Sequence, residues 1–319
     1  MEKVKTVRRN LWIAALLLLI TVTLFLLHNM GNNWEYALRL RGVKVAAILI
    51  VSCCVAYSSV AFQTITNNRI LTPSIMGFES VYLLLQTIIV YTYGDTTFRV
   101  LSSINNFLLS VASMIGFALL IYLLIFRKGK NNLYLLLLVG IILGTLFSSL
   151  SSFMQLLIDP NDYFIVQGKM FATFNKINSD LLWPSTAVMS VILIAGFRMT
   201  RTLDVLALGR DQAINLGVNY NRMVQLFLVI IAIMVSVSTA LVGPITFLGL
   251  LVTNLTYELF KAHRHSVIIA ACCLVTAITL LGGQLVMERL FNLSIPVTVI
   301  INLVGGIYFI YLLLRIKKL

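Results

Sequence analysis

Long apolar runs separated by short polar gaps dominate the chain. They fall at 11–28, 44–65, 76–92, 104–126, 132–157, 184–199, 223–242, 245–259, 266–287 and 296–314. A helix needs about 20 apolar residues to cross the hydrocarbon core of a bilayer, and most of these runs approach or exceed that. The pattern predicts an all-α integral membrane protein of about ten transmembrane helices. The eighth run is short and opens with Gly243-Pro244, which predicts a broken or tilted helix. No linker or internal repeat divides the runs, so residues 1–319 are read as one transmembrane domain.

The largest departure from the pattern is the charged interlude Arg201 to Val218. Leu203, Leu206, Ala207 and Leu208, then Ala213, Ile214 and Leu216, recur at helical spacing, with Gly209 and Gly217 as punctuation. Two short amphipathic helices joined at a glycine fit that spacing. It admits two readings, a loop lying on the lipid surface and a docking knob for a soluble partner.

Composition agrees with the pattern. The chain is 60% hydrophobic and 11% charged, against about a quarter charged in soluble domains. The net charge of +13 sits in short clusters between apolar runs, which is the signature of membrane orientation and not a nucleic-acid stripe. With both termini inside, seventeen of the 24 basic residues lie on the cytoplasmic side, including Arg69, Arg127, Lys128, Lys130, Lys261, Arg315, Lys317 and Lys318. Arg39, Arg41, Lys44, Arg99, Lys169, Lys176 and Arg289 lie outside. The first run follows Lys3, Lys5, Arg8 and Arg9 and does not end in a small-residue cleavage site, so it is read as a retained helix starting in the cytoplasm. Cys53-Cys54 and Cys272-Cys273 lack metal-ligand spacing and read as packing residues.

Candidate chemistry is sparse. There is no GxxxxGK[ST] phosphate loop, no His-Glu-x-x-His and no Gly-x-Ser-x-Gly. No catalytic residue, metal site or bound cofactor is expected. The acidic residues fall at span ends or in loops, with none placed deep in a span. Ion-driven transporters and proton pumps usually bury such a group, so an external energy source is expected. His263 and His265 flank Arg264 in a short inner loop and read as solvated, and His28 reads as interfacial.

Four blocks then carry a resemblance over nearly the full length. The first is Arg41-Gly42-Val43-Lys44, followed by Gln63, Asn68, Pro73 and Gly77. The second is Leu208-Gly209-Arg210-Asp211-Gln212-Ala213-Ile214-Asn215-Leu216-Gly217, similar to Leu-Gly-x-x-x-Ala-x-x-Leu-Gly. The third is Gly243-Pro244-Ile245-Thr246-Phe247-Leu248-Gly249-Leu250, and the fourth joins Arg289, Ile295-Pro296-Val297 and Gly305-Gly306. Together they resemble the permease subunits of type II ABC importers for iron–siderophore complexes, haem and cobalamin. There are departures. The Arg-Leu-Pro-Arg of the family is Arg-Gly-Val-Lys here. Its Pro-His and following arginine are replaced by Thr253-Asn254 and Tyr257, and its outer Trp-x-x-Gly-Ser by Phe164 to Lys169. They suggest a divergent branch and blur the substrate, and they look similar to the branch serving catecholate siderophores.

The resemblance implies a permease in the cell (inner) membrane of a bacterium. It implies that ATP would be bound by cytoplasmic partner subunits, that the pathway would form with a second, identical or paralogous, permease, and that an extracytoplasmic substrate-binding protein would deliver the chelate. It implies that Leu206, Leu208, Gly209, Arg210, Asp211, Ala213, Leu216 and Gly217 form coupling helices against the ATPase, with the leucines filling an apolar groove. Arg41, Lys44 and Arg289 would dock the binding protein, Lys44 more weakly than Arg41. Asn68 and Ile70 would belong to the cytoplasmic gate, and Gly144, Ser148, Ser152 and Gln155 to the pathway on the fifth span. The alternatives are a cobalamin or haem permease of the same family and a self-sufficient transporter or channel, with a membrane-embedded enzyme more distant.

Overall fold

The computed structural model describes residues 2–27, 34–94, 101–126, 133–175, 177–291 and 295–316. Among these it is all-helical. In chain order the helices are α1 (Glu2–Leu27), α2 (Trp34–Ile65), α3 (Phe78–Tyr93), α4 (Ser103–Phe126), α5 (Leu133–Gln155), α6 (Pro160–Lys169) and α7 (Ser179–Arg198). They continue as α8 (Thr200–Leu206), α9 (Arg210–Asn215), α10 (Tyr220–Val242), α11 (Leu248–Phe260), α12 (His265–Leu290) and α13 (Val297–Ile316). A 3₁₀ turn, Pro73–Met76, precedes α3. Of the charges used to orient the chain, Arg99, Arg127, Lys128, Lys130, Lys176, Lys317 and Lys318 lie outside the described residues, as does His28.

Each of the ten predicted spans falls on a helix. Seven are long and apolar enough to cross a bilayer by themselves: α1, α2, α4, α5, α7, α10 and α12. The eighth span is the 13-residue α11, and Gly243 to Phe247 before it is non-helical, as the Gly-Pro pair predicts. The sixth span starts earlier than its apolar run. Asn178 caps α7 by accepting from the Asp180 amide, so the polar first turn is helical too. The pattern did not show α6, whose Asp159 cap and Pro160 start a ten-residue helix between α5 and α7.

Helix α2 is the axis of the bundle. From Val45 onward almost every residue is buried, so it lacks an amphipathic stripe. It packs antiparallel to α12 and also against α10, α7 and α11. Lipid gives helices no hydrophobic reason to associate, so close approach through small residues must do it. At Gly196 of α7, an added Cβ would stand 2.6 Å from the Tyr57 ring of α2. Cys54 and Cys272 are buried in this α2–α12 region as packing residues, and all four cysteines are free.

Two stretches of irregular backbone enter the bundle. After α2 the chain turns at Asn67 (φ 49°) and runs back inward to the 3₁₀ turn. Gly77 then sits against α5, where an added Cβ would be 2.9 Å from the Gly144 Cα. Gly140 takes the neighbouring Met76 backbone in the same way. Gly144 and Gly140 lie about 16 and 10 Å along α5 from its start at Leu133, at a rise of 1.5 Å per residue. Helix α3 thus begins inside the bundle. The second stretch is 171–175, where the Thr173 amide donates to the Val242 carbonyl (2.8 Å) and Ala172 packs on Gly243.

This geometry corrects one expectation. Glu79, in the first turn of α3, is buried within the bundle, with the Ser74 hydroxyl donating to its Oε1 at 2.9 Å. It borders a cavity of about 30 Å³ with Ser58, Ser59, Thr72, Thr239 and Gly249, room for a water. The sequence places Glu79 near a span end, but that span starts at mid-depth, which apolar periodicity does not reveal.

Candidate functional site

Three groups of residues occupy the two ends of the bundle. At one end α8 and α9 form the connector between α7 and α10. Gly209 joins them at φ 98°, ψ 167°, and Gly217 closes α9 at φ 82°. Both conformations favour glycine over residues with a Cβ. A Cβ at either position would meet nothing within 4 Å, so within this chain the glycines serve the turns and not a close approach.

Burial divides the residues expected at the coupling surface. Leu206 and Ala213 are fully buried, with Leu203, and hold the connector to the bundle. Leu206 therefore cannot fill a groove on a partner, contrary to expectation; it occupies the helix face that the bundle covers. Leu208, Ile214 and Leu216 are 54%, 49% and 61% exposed, and Arg210 and Asp211 flank them in solvent. Ile214 takes the place expected of Leu206. Its signal was present in the apolar spacing.

The same end holds the turn Asn67-Asn68-Arg69-Ile70. Asn68 Oδ1 accepts from the Ile70 amide (2.9 Å), and both side chains face outward. The turn is clamped from α2 and α11. Gln63 Nε2 donates to the Arg69 carbonyl (2.9 Å) and to Thr253 Oγ1 (2.8 Å). Asn254 Nδ2 reaches the same carbonyl at 3.3 Å, and the Arg69 guanidinium lies 4.6 Å over the Tyr257 ring. The departures Asn254 and Tyr257 thus belong to one cluster with Arg69. The cation that the family pattern carries at position 257 arrives here from the facing turn.

His265 was expected in a solvated loop, but it is the first residue of α12 and 5% exposed. Asp204 Oδ1 accepts from both its backbone amide and its Nδ1–H, each at 2.7 Å. A carboxylate at the start of a 26-residue helix also meets the positive end of its dipole. His263 remains exposed.

At the opposite end, Arg41 Nη1 donates to the Leu26 carbonyl (3.0 Å), and Arg289 is exposed on the last turn of α12. Lys44 behaves differently. Its ammonium contacts Glu288 Oε1 at 2.8 Å and Asn175 Oδ1 at 2.9 Å, with side chains 20% and 16% exposed at Lys44 and Glu288. Gln284 Nε2 donates to the same two oxygens. The network ties α2, α12 and the entering stretch 171–175 together. Lys44 is therefore committed inside the chain and not presented to a docking protein; sequence spacing put it on the Arg41 face, but Glu288, 244 residues away, was not visible as its partner.

The expected pathway residues also separate. Gly144 is buried against Gly77, and Gln155 turns inward to Thr87 and Ser151 (3.3 and 3.0 Å). Ser148 and Ser152 are exposed, with Thr145 and Ser149 beside them, as a narrow hydroxyl stripe on the outward face of α5. Ile141, Leu146 and Phe153 border it in the open. Among the described residues no His, Cys, Asp and Glu cluster could hold a metal ion.

Comparison with known proteins finds relatives along nearly the whole chain. The petrobactin import system permease protein YclO of Bacillus subtilis is 50% identical over 302 residues, covering 95% of this chain and 96% of that protein. The petrobactin import system permease protein FatC of Bacillus anthracis is 36% identical, over 88% and 79% of the two chains. An inward-facing structure of a metal-chelate type ABC transporter superposes with a TM-score of 0.82 at 23% identity, covering 97% of this chain and 99% of that one. The sequence pattern of the FecCD transport family matches residues 9–315, and the chain belongs to that family.

Proposed function

We propose that this chain is the membrane-spanning permease of an ATP-driven importer for ferric siderophores, with a petrobactin-type catecholate complex as cargo. The observation that carries the reading is the exposed Leu208–Ile214–Leu216 knob on a connector otherwise anchored in the bundle. An apolar patch at a polar end of a membrane protein needs a partner to cover it. Family membership supplies the class of partner, ATP-binding subunits, together with a second permease across whose interface the cargo passes. Identity of 50% to a petrobactin permease, against 26% to a vitamin B12 permease, supports the siderophore over cobalamin.

In this reading the connector and the Asn67–Ile70 turn face the cytoplasm, and both termini lie on that side. Arg41 and Arg289 face outward, where acidic lobes of a binding protein approach. The α5 hydroxyl stripe lines the path. It offers hydroxyls and no group able to strip iron from its ligand, so the chelate crosses intact. Glu79 removes one argument against a self-sufficient transporter, so that alternative is set aside on family membership alone.

The test is reconstitution of the permease pair, ATPase and binding protein in liposomes with radioiron-loaded petrobactin. ATP-dependent accumulation is expected, absent without the ATPase. Accumulation by the permeases alone, driven by an ion gradient, would overturn the reading.

A further inference from the structure

The Asp204–His265 pair is joined to the gate turn by a run of polar contacts that passes through the backbone of α2 between Thr64 and Gln63. His265 Nδ1–H donates to Asp204 of α8, so Nε2 faces Thr64 Oγ1 of α2 at 2.8 Å. Thr64 is 7% exposed and its hydroxyl also lies 2.8 Å from the Val60 carbonyl. Its neighbour Gln63 holds the Arg69 carbonyl and Thr253, and Asn254 holds that carbonyl from α11. One end of the run is the connector. The other is the turn bearing Asn68 and Ile70.

The run differs in kind from the rest of the connector's attachments. Leu203 and Leu206 hold α8 through apolar contact, which tolerates sliding. The carboxylate–imidazole–hydroxyl chain is directional, and with His265 buried it cannot exchange a lost partner for water without cost. A shift of α8 therefore either breaks two hydrogen bonds at Asp204 or carries the start of α12 and the end of α2 with it. The end of α2 is where Gln63 grips the gate turn.

We propose that Asp204, His265 and Thr64 are positioning residues that transmit motion of the connector to the cytoplasmic gate. The proposal rests on the coupling reading above. It gives this chain a specific joint between the two, made by side chains on three helices.

The experiment uses the complete reconstituted transporter carrying Ile70→Cys, labelled by a water-soluble maleimide with and without ATP, with labelling of the four native thiols measured as background. In the parent the labelling rate should change at least fivefold with ATP. Asp204→Ala and His265→Ala should each reduce that change to less than twofold and cut transport per ATP about tenfold, with the ATPase still bound. The double variant should lose no more than either single one, as expected for groups acting through one contact. Thr64→Val, which removes only a hydroxyl, should give a partial loss, and serves as the readout if either alanine variant fails to fold. His265→Asn, which keeps a donor toward Asp204, should recover part of the response; a purely structural role would instead follow melting temperature across all variants. An unchanged ATP response in Asp204→Ala, His265→Ala or Thr64→Val overturns the joint. No ATP response in the parent overturns the coupling reading itself.

Discussion

Replacing Lys44 with methionine separates an internal role from a docking role. The change keeps the length of the stem and removes the ammonium that Glu288 Oε1 meets at 2.8 Å. At an effective dielectric near 20 the pair attracts by roughly 6 kcal/mol, most of it offset by the desolvation of both charges. What remains after the substitution is a carboxylate 16% exposed, with Gln284 as its neutral donor and no cation. Breaking a buried pair costs about 3–5 kcal/mol; with a fifth of the lysine side chain in solvent we expect about 2–3 kcal/mol, the screened portion being lost. Removing both charges, Lys44→Met with Glu288→Gln, should cost about 1 kcal/mol or less, because no orphaned charge is left. The coupling between the two positions should therefore be at least about 1 kcal/mol in a double-mutant cycle. Reversible unfolding in mixed detergent micelles reads the stability, and binding-protein affinity is measured on the same samples. Lys44→Met should lower stability and leave affinity within twofold. A variant as stable as the parent with strongly weakened docking would refute the reasoning and return Lys44 to the outer surface.

Arg41→Glu with Arg289→Glu should have the converse signature, with docking of the binding protein weakened by much more than stability, which loses the Arg41 bond to the Leu26 carbonyl, and a parent docking rate that falls with added salt; affinity measured at low salt checks it. Gly209→Val and Gly217→Val should each strain the connector by about 1–3 kcal/mol without any internal clash, leaving membrane insertion intact and lowering transport per ATP hydrolysed. Gly77→Leu should fail earlier, since its side chain would enter the α5 backbone at Gly144; loss of monodisperse protein in size-exclusion chromatography is the expected result. Ser148→Ala with Ser152→Ala should alter uptake modestly and chelate preference hardly at all, measured with one binding protein throughout.

Much of the architecture was legible because lipid imposes a simple rule. Each of the ten apolar runs became a helix, and the Gly243-Pro244 break fell where the backbone leaves helical geometry. The connector was legible for the same reason, since two glycines bracket two short amphipathic repeats. What sequence could not give was direction in three dimensions. Leu206 and Leu208 look alike in the repeat, yet one is sealed against the bundle and the other is in the open. Lys44 and Glu288, or Thr64 and His265, are partners only because antiparallel α2 and α12 align their ends, and Asp204 meets His265 only because α8 packs at that same end. Glu79 was misplaced because the chain re-enters the bundle after the turn at Asn67 and begins α3 inside it, and a carboxylate near the end of an apolar run gives no sign of that.

The mid-depth start of α3 also bears on how the polypeptide is made. Sixteen residues span about 24 Å, short of a 30 Å hydrocarbon core, and the amides and carbonyls of 66–77 have no place in lipid. Their resting place is built from α5, α10 and α11, all synthesised later. Until Gly140, Gly144, Thr239 and Gly249 have emerged, this early segment has nowhere dry to settle. The second and third crossings must therefore wait near the insertion machinery or at the lipid boundary while half the chain is still being translated. Truncation after α4 should leave this region open to a membrane protease that the full-length chain resists.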